Sequence, residues 1–166
     1  MTHPDWEPFI TGIAFFAGLI GLEFSETKSI KNSPDIKLFN KLIGLLPSAT
    51  LIEFLKNKDF GAAFQNDYLD PLRDFNIYWD NAEHEFMNGK LEKKRKELLL
   101  EIDEFLDYLA HNTWPLRNGI QSIPAEWEED QPERWERTKN ELNRLSDRIV
   151  IIHQDLVRLA KKELHV

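Results

Sequence analysis

Hydrophobic positions fall into two kinds of pattern along this chain. From Pro8 to Leu22, in "PFITGIAFFAGLIGL", no charged residue interrupts the run. Beyond Ser33, apolar residues recur at threes and fours with polar residues between them. That is the spacing of helices buried on one face.

The opening run is apolar all round. Thr11, Ala14, Ala17, Gly18 and Gly21 share one arc of a helical wheel, and Phe9, Ile13, Phe16 and Ile20 lie on the other side. Ala14/Gly18 and Ala17/Gly21 are small-xxx-small pairs, which let helix backbones approach closely. Trp6 to Phe24 would span about 28 Å as a helix, near a hydrocarbon thickness of about 30 Å. The run reads first as a membrane anchor or oligomer contact and second as a buried core helix. A removed signal is the weakest reading, because no Lys or Arg precedes Lys28. As an anchor it would be single-pass, with lipid contacted through residues 6–24. Lys28, Lys31, Lys37 and Lys41 all follow it, so residues 25–166 would be cytoplasmic and the N-terminus outside. Without an anchor the chain would be cytoplasmic.

Residues 25–34 read as a linker. Ser33 and Pro34 then start a helix with Ile36, Phe39, Ile43 and Leu46 on one face, ended by Pro47. "SATLIEFLKNKDFG" predicts a short helix, with a strand over residues 51–57 as the alternative. A helix is predicted from Asp67 to Phe86, its seam Leu72, Phe75, Trp79, Ala82 and Phe86. "MNGK" is a turn. The next helix, Leu91 to His111, buries Leu91, Leu98, Ile102, Phe105 and Leu109, antiparallel to the one before it. Asn112 to Gln131 reads as a long irregular connection pinned by Trp114 and Trp127. From Pro132 to Leu164, Trp135, Thr138, Leu142, Leu145, Ile149, Ile152, Leu156 and Leu159 keep a heptad-like 3-4 alternation.

The sum is an all-α fold: an antiparallel bundle of about five helices over residues 35–166. A hydrophobic helix (1–24) precedes it, and a long heptad-like helix ends it.

Composition removes several functions. The chain has 166 residues, a formal charge of -8 and no cysteine. Disulfide frameworks, zinc-thiolate sites and cysteine nucleophiles are excluded. The acidic balance opposes broad phosphate binding, so no nucleic-acid partner is expected. The basic run Lys93-Lys94-Arg95-Lys96, flanked by Glu92 and Glu97, reads as a solvated helix face.

Candidate chemistry is sparse. Asp80/His84 and Asp107/His111 each place a carboxylate and an imidazole one helical turn apart, and read as polar surface pairs. His84, Glu83, Glu92 and His153 would gather at one end of the bundle if the last helix returns antiparallel. No metal or cofactor is expected. "RIVIIH", Arg148 to His153, resembles the Arg-x4-6-His signature of HEPN-family ribonucleases over these six residues. The resemblance implies that Arg148 and His153 of two protomers would act on an RNA phosphodiester. Ile149 stands where that family often has a polar residue.

Three functions follow in order. The first is a small membrane-anchored, self-associating helical bundle with a possible protein partner, acting as a structural, sensing or effector subunit rather than a catalyst. The second is a HEPN-like ribonuclease using Arg148 and His153. The third is a soluble ligand-binding bundle, with Trp114, Trp127 and His84 as binding residues and the Trp114–Trp127 loop as a lid.

Overall fold

The computed structural model describes residues 33–166. The expected anchor, its Ala14, Ala17, Gly18 and Gly21 stripe, and most of the 25–34 linker lie outside the described residues. The fold is mostly helical, as the periodicity predicts. Its elements are α1 (Pro34–Leu45), a π-helical turn (Ser48–Ile52) leading into α2 (Glu53–Asn57), β1 (Phe64–Gln65), α3 (Asp70–Tyr78) and α4 (Gly89–Asn112). There follow β2 (Trp114–Pro115), β3 (Ile120–Ser122), α5 (Glu126–Asp130) and α6 (Pro132–Leu164).

α1 begins as expected at Pro34, whose fixed φ suits a first helical turn. Ser33 contributes its backbone carbonyl, accepting from the amides of Ile36 (3.1 Å) and Lys37 (3.2 Å), and not its hydroxyl. Leu42 is fully buried and Ile43 only half-buried, so the inner face is rotated slightly from the expected one. Residues 51–57 are helical, with Leu51, Ile52 and Leu55 buried.

α6 finds its seam inside the chain. Lys90–Glu163 (2.9 Å), Glu101–Arg148 (2.7 Å) and Glu104–Arg144 (3.7 Å) pair in opposite order along α4 and α6, so the two helices run antiparallel. Leu142, Leu145, Ile149 and Leu156 of α6 are fully buried, as are Leu91, Leu98, Ile102 and Phe105 of α4. Each such side chain contributes about 1.5–3 kcal/mol relative to exposure. α2 joins them through Ser146 Oγ, which donates to the Leu55 carbonyl (2.9 Å).

Two expectations need correcting. The helix predicted over Asp67–Phe86 stops at Tyr78 and is followed by a 3-10 turn at Ala82–His84. Asn81 explains the stop. Its Nδ2 donates to the Tyr78 carbonyl (2.8 Å) and its Oδ1 accepts from the Glu83 amide (3.0 Å), so one side chain satisfies both broken ends. Trp79 and Phe86 remain buried, but Ala82 is exposed. The connection Asn112–Gln131 is not irregular throughout. It holds a hairpin, and β1 pairs with it to give a three-stranded antiparallel sheet of order β1-β3-β2. The hairpin turns on Asn118 and Gly119, both at positive φ (59° and 73°), with the Ile120 amide donating to the Arg117 carbonyl. Asn-Gly is the strongest short hairpin signal, here hidden between strands of two and three residues.

Among the described residues no single helix is long and apolar enough to cross a membrane. The pair Pro34–Leu45 and Ser48–Asn57, bent by 41°, is so only by combined length and composition.

Candidate functional site

Polar chemistry concentrates where the Trp79–Asn88 connection meets α1 and α4. Arg95 is the centre. Instead of lying on a solvated face with its basic neighbours, it is 1% exposed. Its Nε and Nη2 donate to the two carboxylate oxygens of Glu92 (2.9 and 2.7 Å), and Nη1 donates to the Trp79 carbonyl. Glu92 also accepts from the Phe86 amide (3.0 Å) and lies 3.4 Å from Lys96 Nζ. Burial alone would raise the Glu92 carboxyl pKa. The Arg95, Phe86 and Lys96 contacts outweigh it and hold that pKa below the ordinary carboxylate value.

Asp35 fastens the far end of the connection. Buried in the first turn of α1, its carboxylate accepts from the amides of Met87 (2.8 Å) and Asn88 (2.9 Å). Asn88 then caps α4, its Oδ1 accepting from the amides of Lys90 (3.0 Å) and Leu91 (3.3 Å).

His84 lies between these ties. Its ring stacks on Trp79 with centroids 4.6 Å apart. Nε2 is 2.7 Å from Lys41 Nζ, and Nδ1 is 3.0 Å from Asn81 Oδ1. An ammonium can only donate, so Nε2 accepts, the imidazole is neutral, and Nδ1–H donates to Asn81. Burial pushes the His84 pKa below its ordinary value. Lys41 and then Arg95 add to the effect, and Glu83 opposes it.

The other predicted site residues are placed apart. His153 is fully buried, its Nε2–H donating to the Leu46 carbonyl (2.9 Å), and Nδ1 has no hydrogen-bond partner among the described residues. Burial depresses its pKa too. Arg148 reaches Glu101 on α4, whose carboxylate is buried, with Oε1 unpartnered among the described residues. Burial raises the Glu101 pKa and Arg148 opposes that rise. Arg148 and His153 therefore face different neighbours. Of the residues expected to gather at one end of the bundle, Glu83 acts on His84 and Glu92 is joined to the same connection through Phe86 and Arg95, while His153 is bonded to the Leu46 carbonyl. Among the described residues no group of three or more His, Asp or Glu side chains is placed to hold a metal ion. Asp80 and His84 do not share a helical turn, because α3 ends before both. Asp107 and His111 do share one, exposed on α4, with Asp107 Oδ1 3.4 Å from His111 Nδ1.

The two tryptophans of the expected lid pack against each other. Trp127 is buried with the Arg134 guanidinium 3.4 Å from its ring centroid, and the half-exposed Trp114 meets it edge-on at 6.4 Å. Neither tryptophan lines the neighbouring cleft. Pro115 and Gln121 of the hairpin do, facing Arg73, Asn76 and Leu106 across about 430 Å³. Arg73 is held by Asn66 and Asp70, and Gln121 Nε2 donates to Thr113 Oγ1 (2.6 Å). Guanidinium and amide groups over an apolar floor suit a small amphipathic ligand.

Arg95, Asp35 and Lys41 were not among the predicted site residues. The signal for Arg95 was present, since it fills the gap in the seam Leu91, Leu98, Ile102. No family model, curated protein or solved structure matches the chain.

Proposed function

We propose that this chain is an interaction protein and not a catalyst. It is a small antiparallel helical bundle, attached to a membrane through residues 6–24 and self-associating, that serves as a structural, sensing or effector subunit. One observation supports the non-catalytic part: the side chains best suited to chemistry are engaged in holding the fold. Arg148 neutralises a buried carboxylate, and His153 satisfies the last carbonyl before Pro47 from inside the core. A phosphodiester reaction of the HEPN type would need both groups at an accessible surface. The length and small-residue stripe of the opening run support attachment.

The test uses the full chain. Arg148→Ala and His153→Ala should each lower stability by about 1–3 kcal/mol in denaturant titration. RNA cleavage by the purified chain that both substitutions abolish would reject the reading. Membranes carrying the chain should retain it through a carbonate wash, and a chain released by that wash is not anchored. A mass of one chain in detergent would remove self-association.

The cleft beside the hairpin favours a second reading, a ligand-binding bundle. Small carboxylic acids and amides screened by their effect on the thermal unfolding midpoint should then give an upward shift that Arg73→Ala removes. A flat response across the screen rejects it.

A further inference from the structure

We propose that the Trp79–Asn88 connection is a proton-operated latch: protonation of His84 ejects it from between Lys41 and Trp79 and opens this connection while the rest of the fold stays closed. The inference goes beyond the interaction reading and does not depend on it.

The geometry demands a neutral ring. Lys41 Nζ sits 2.7 Å from Nε2, the atom that would gain the proton. A protonated Nε2–H would face an ammonium as donor against donor and cation against cation. The charged groups around the ring do not compensate. Lys41 comes from α1 and Arg95 from α4, both cationic, and among the described residues Glu83, beside it in the chain, is the one acid that opposes them. Arg95 is already committed to Glu92 and Trp79, and so cannot turn away.

The same contacts confine the opening. Residue 79 is tied to α4 through its carbonyl on Arg95. Phe86 is tied to Glu92, and Met87 and Asn88 to Asp35. Between these fixed ends, residues 80–85 depend on His84 and Asn81, with a solvent-exposed Glu85–Lys96 pair (3.7 Å) as the remaining tie to α4. Releasing His84 frees this span and uncovers one face of the Trp79 ring, which is 2% exposed in the closed form.

The sign follows from linkage. The closed state lowers the His84 pKa, so it binds a proton less readily than the open one. Closure is fully favoured above the ordinary histidine value of about 6.5 and is lost as pH falls below it. One-proton linkage lets the open population rise by at most about tenfold per pH unit in that window.

The experiment uses the full chain labelled with 5-fluorotryptophan, the Trp79 resonance being identified from Trp79→Phe. Between pH 7.5 and 5 that resonance should shift together with the His84 imidazole signal, while the far-ultraviolet circular dichroism holds. His84→Gln should abolish the shift. Lys41→Met removes the opposing cation and the bond to neutral Nε2, and should move the midpoint upward. A Trp79 shift that persists unchanged in His84→Gln overturns the proposal. So does loss of the Trp79 and helical signals at one common pH, which would make the event global unfolding. Should His84→Gln fail to fold, an unmoved midpoint in Lys41→Met decides against the latch.

Discussion

Two connections of the fold, Trp79–Asn88 and Thr113–Gln131, are fastened by different physics. The first is held by charge, buried at Asp35 and Arg95, half-buried at Glu92 and exposed at Lys41. Asp35, Glu92, Arg95 and the Lys41–His84 pair supply its ties, and three of its amides end on carboxylates. The second is held by a backbone ladder, a neutral Gln121–Thr113 bond and the buried Trp127 ring. Charge-assisted bonds in a dry site are strong, yet removing one partner leaves the other unsolvated. Backbone ladders and aromatic packing lose their contributions piece by piece. The first connection should therefore be brittle and pH-sensitive, and the second tolerant.

Arg95→Met gives the sharpest contrast. The substitution keeps volume but strands the Glu92 carboxylate and the Trp79 carbonyl. It should cost about 3–5 kcal/mol in denaturant unfolding. Adding Glu92→Gln should recover part of the loss, because the stranded charge is gone. A loss below about 1 kcal/mol for Arg95→Met would show that the charges are incidental and dissolve the comparison.

Asp35→Asn comes next. It keeps the shape but replaces a doubly accepting carboxylate with a group that has one acceptor oxygen. About 2 kcal/mol should be lost, with faster hydrogen exchange at the Met87 and Asn88 amides and little change at Gln121. Equal acceleration at both places would mean that the connections open together.

The contrast also explains what the sequence disclosed. The helices α1, α4 and α6 were legible because a packed face must repeat at the helical period, and Pro34, Pro47 and Pro132 mark boundaries by steric rule. The end of α3 was not, because apolar Trp79 and Phe86 keep the helical spacing although Asn81 breaks the backbone between them. Periodicity reports which residues are inside, not whether one helix carries them there. The sheet was missed because its strands are too short to show alternation. The polar knot was half legible. Arg95 interrupts an apolar seam, which marks it as a buried charge in need of a partner, and Glu92 lies three residues before it. Asp35 and Lys41 join through contacts more than forty residues away in the chain, which no local pattern encodes.

The smallest effect belongs to the hairpin. Gly119 stands at φ 73°, where an L side chain is strained whatever space surrounds it. The space itself is adequate, since an added Cβ would meet Gln65 Oε1 at 3.6 Å, an ordinary contact. Gly119→Ala therefore carries only the left-handed backbone cost, about 1–2 kcal/mol. Asn118→Gly should be close to neutral, because glycine accepts the same conformation and loses mainly unfolded-state restriction, about 0.5–1 kcal/mol. Neither substitution touches a titrating group, so both losses should be the same at pH 7.5 and pH 5.5. The Arg95→Met chain, by contrast, should change its deficit as its stranded Glu92 takes up a proton. A Gly119→Ala deficit as large as that of Arg95→Met would mean that the hairpin, too, carries the fold at a single point, and that the ladder is no more tolerant than the knot.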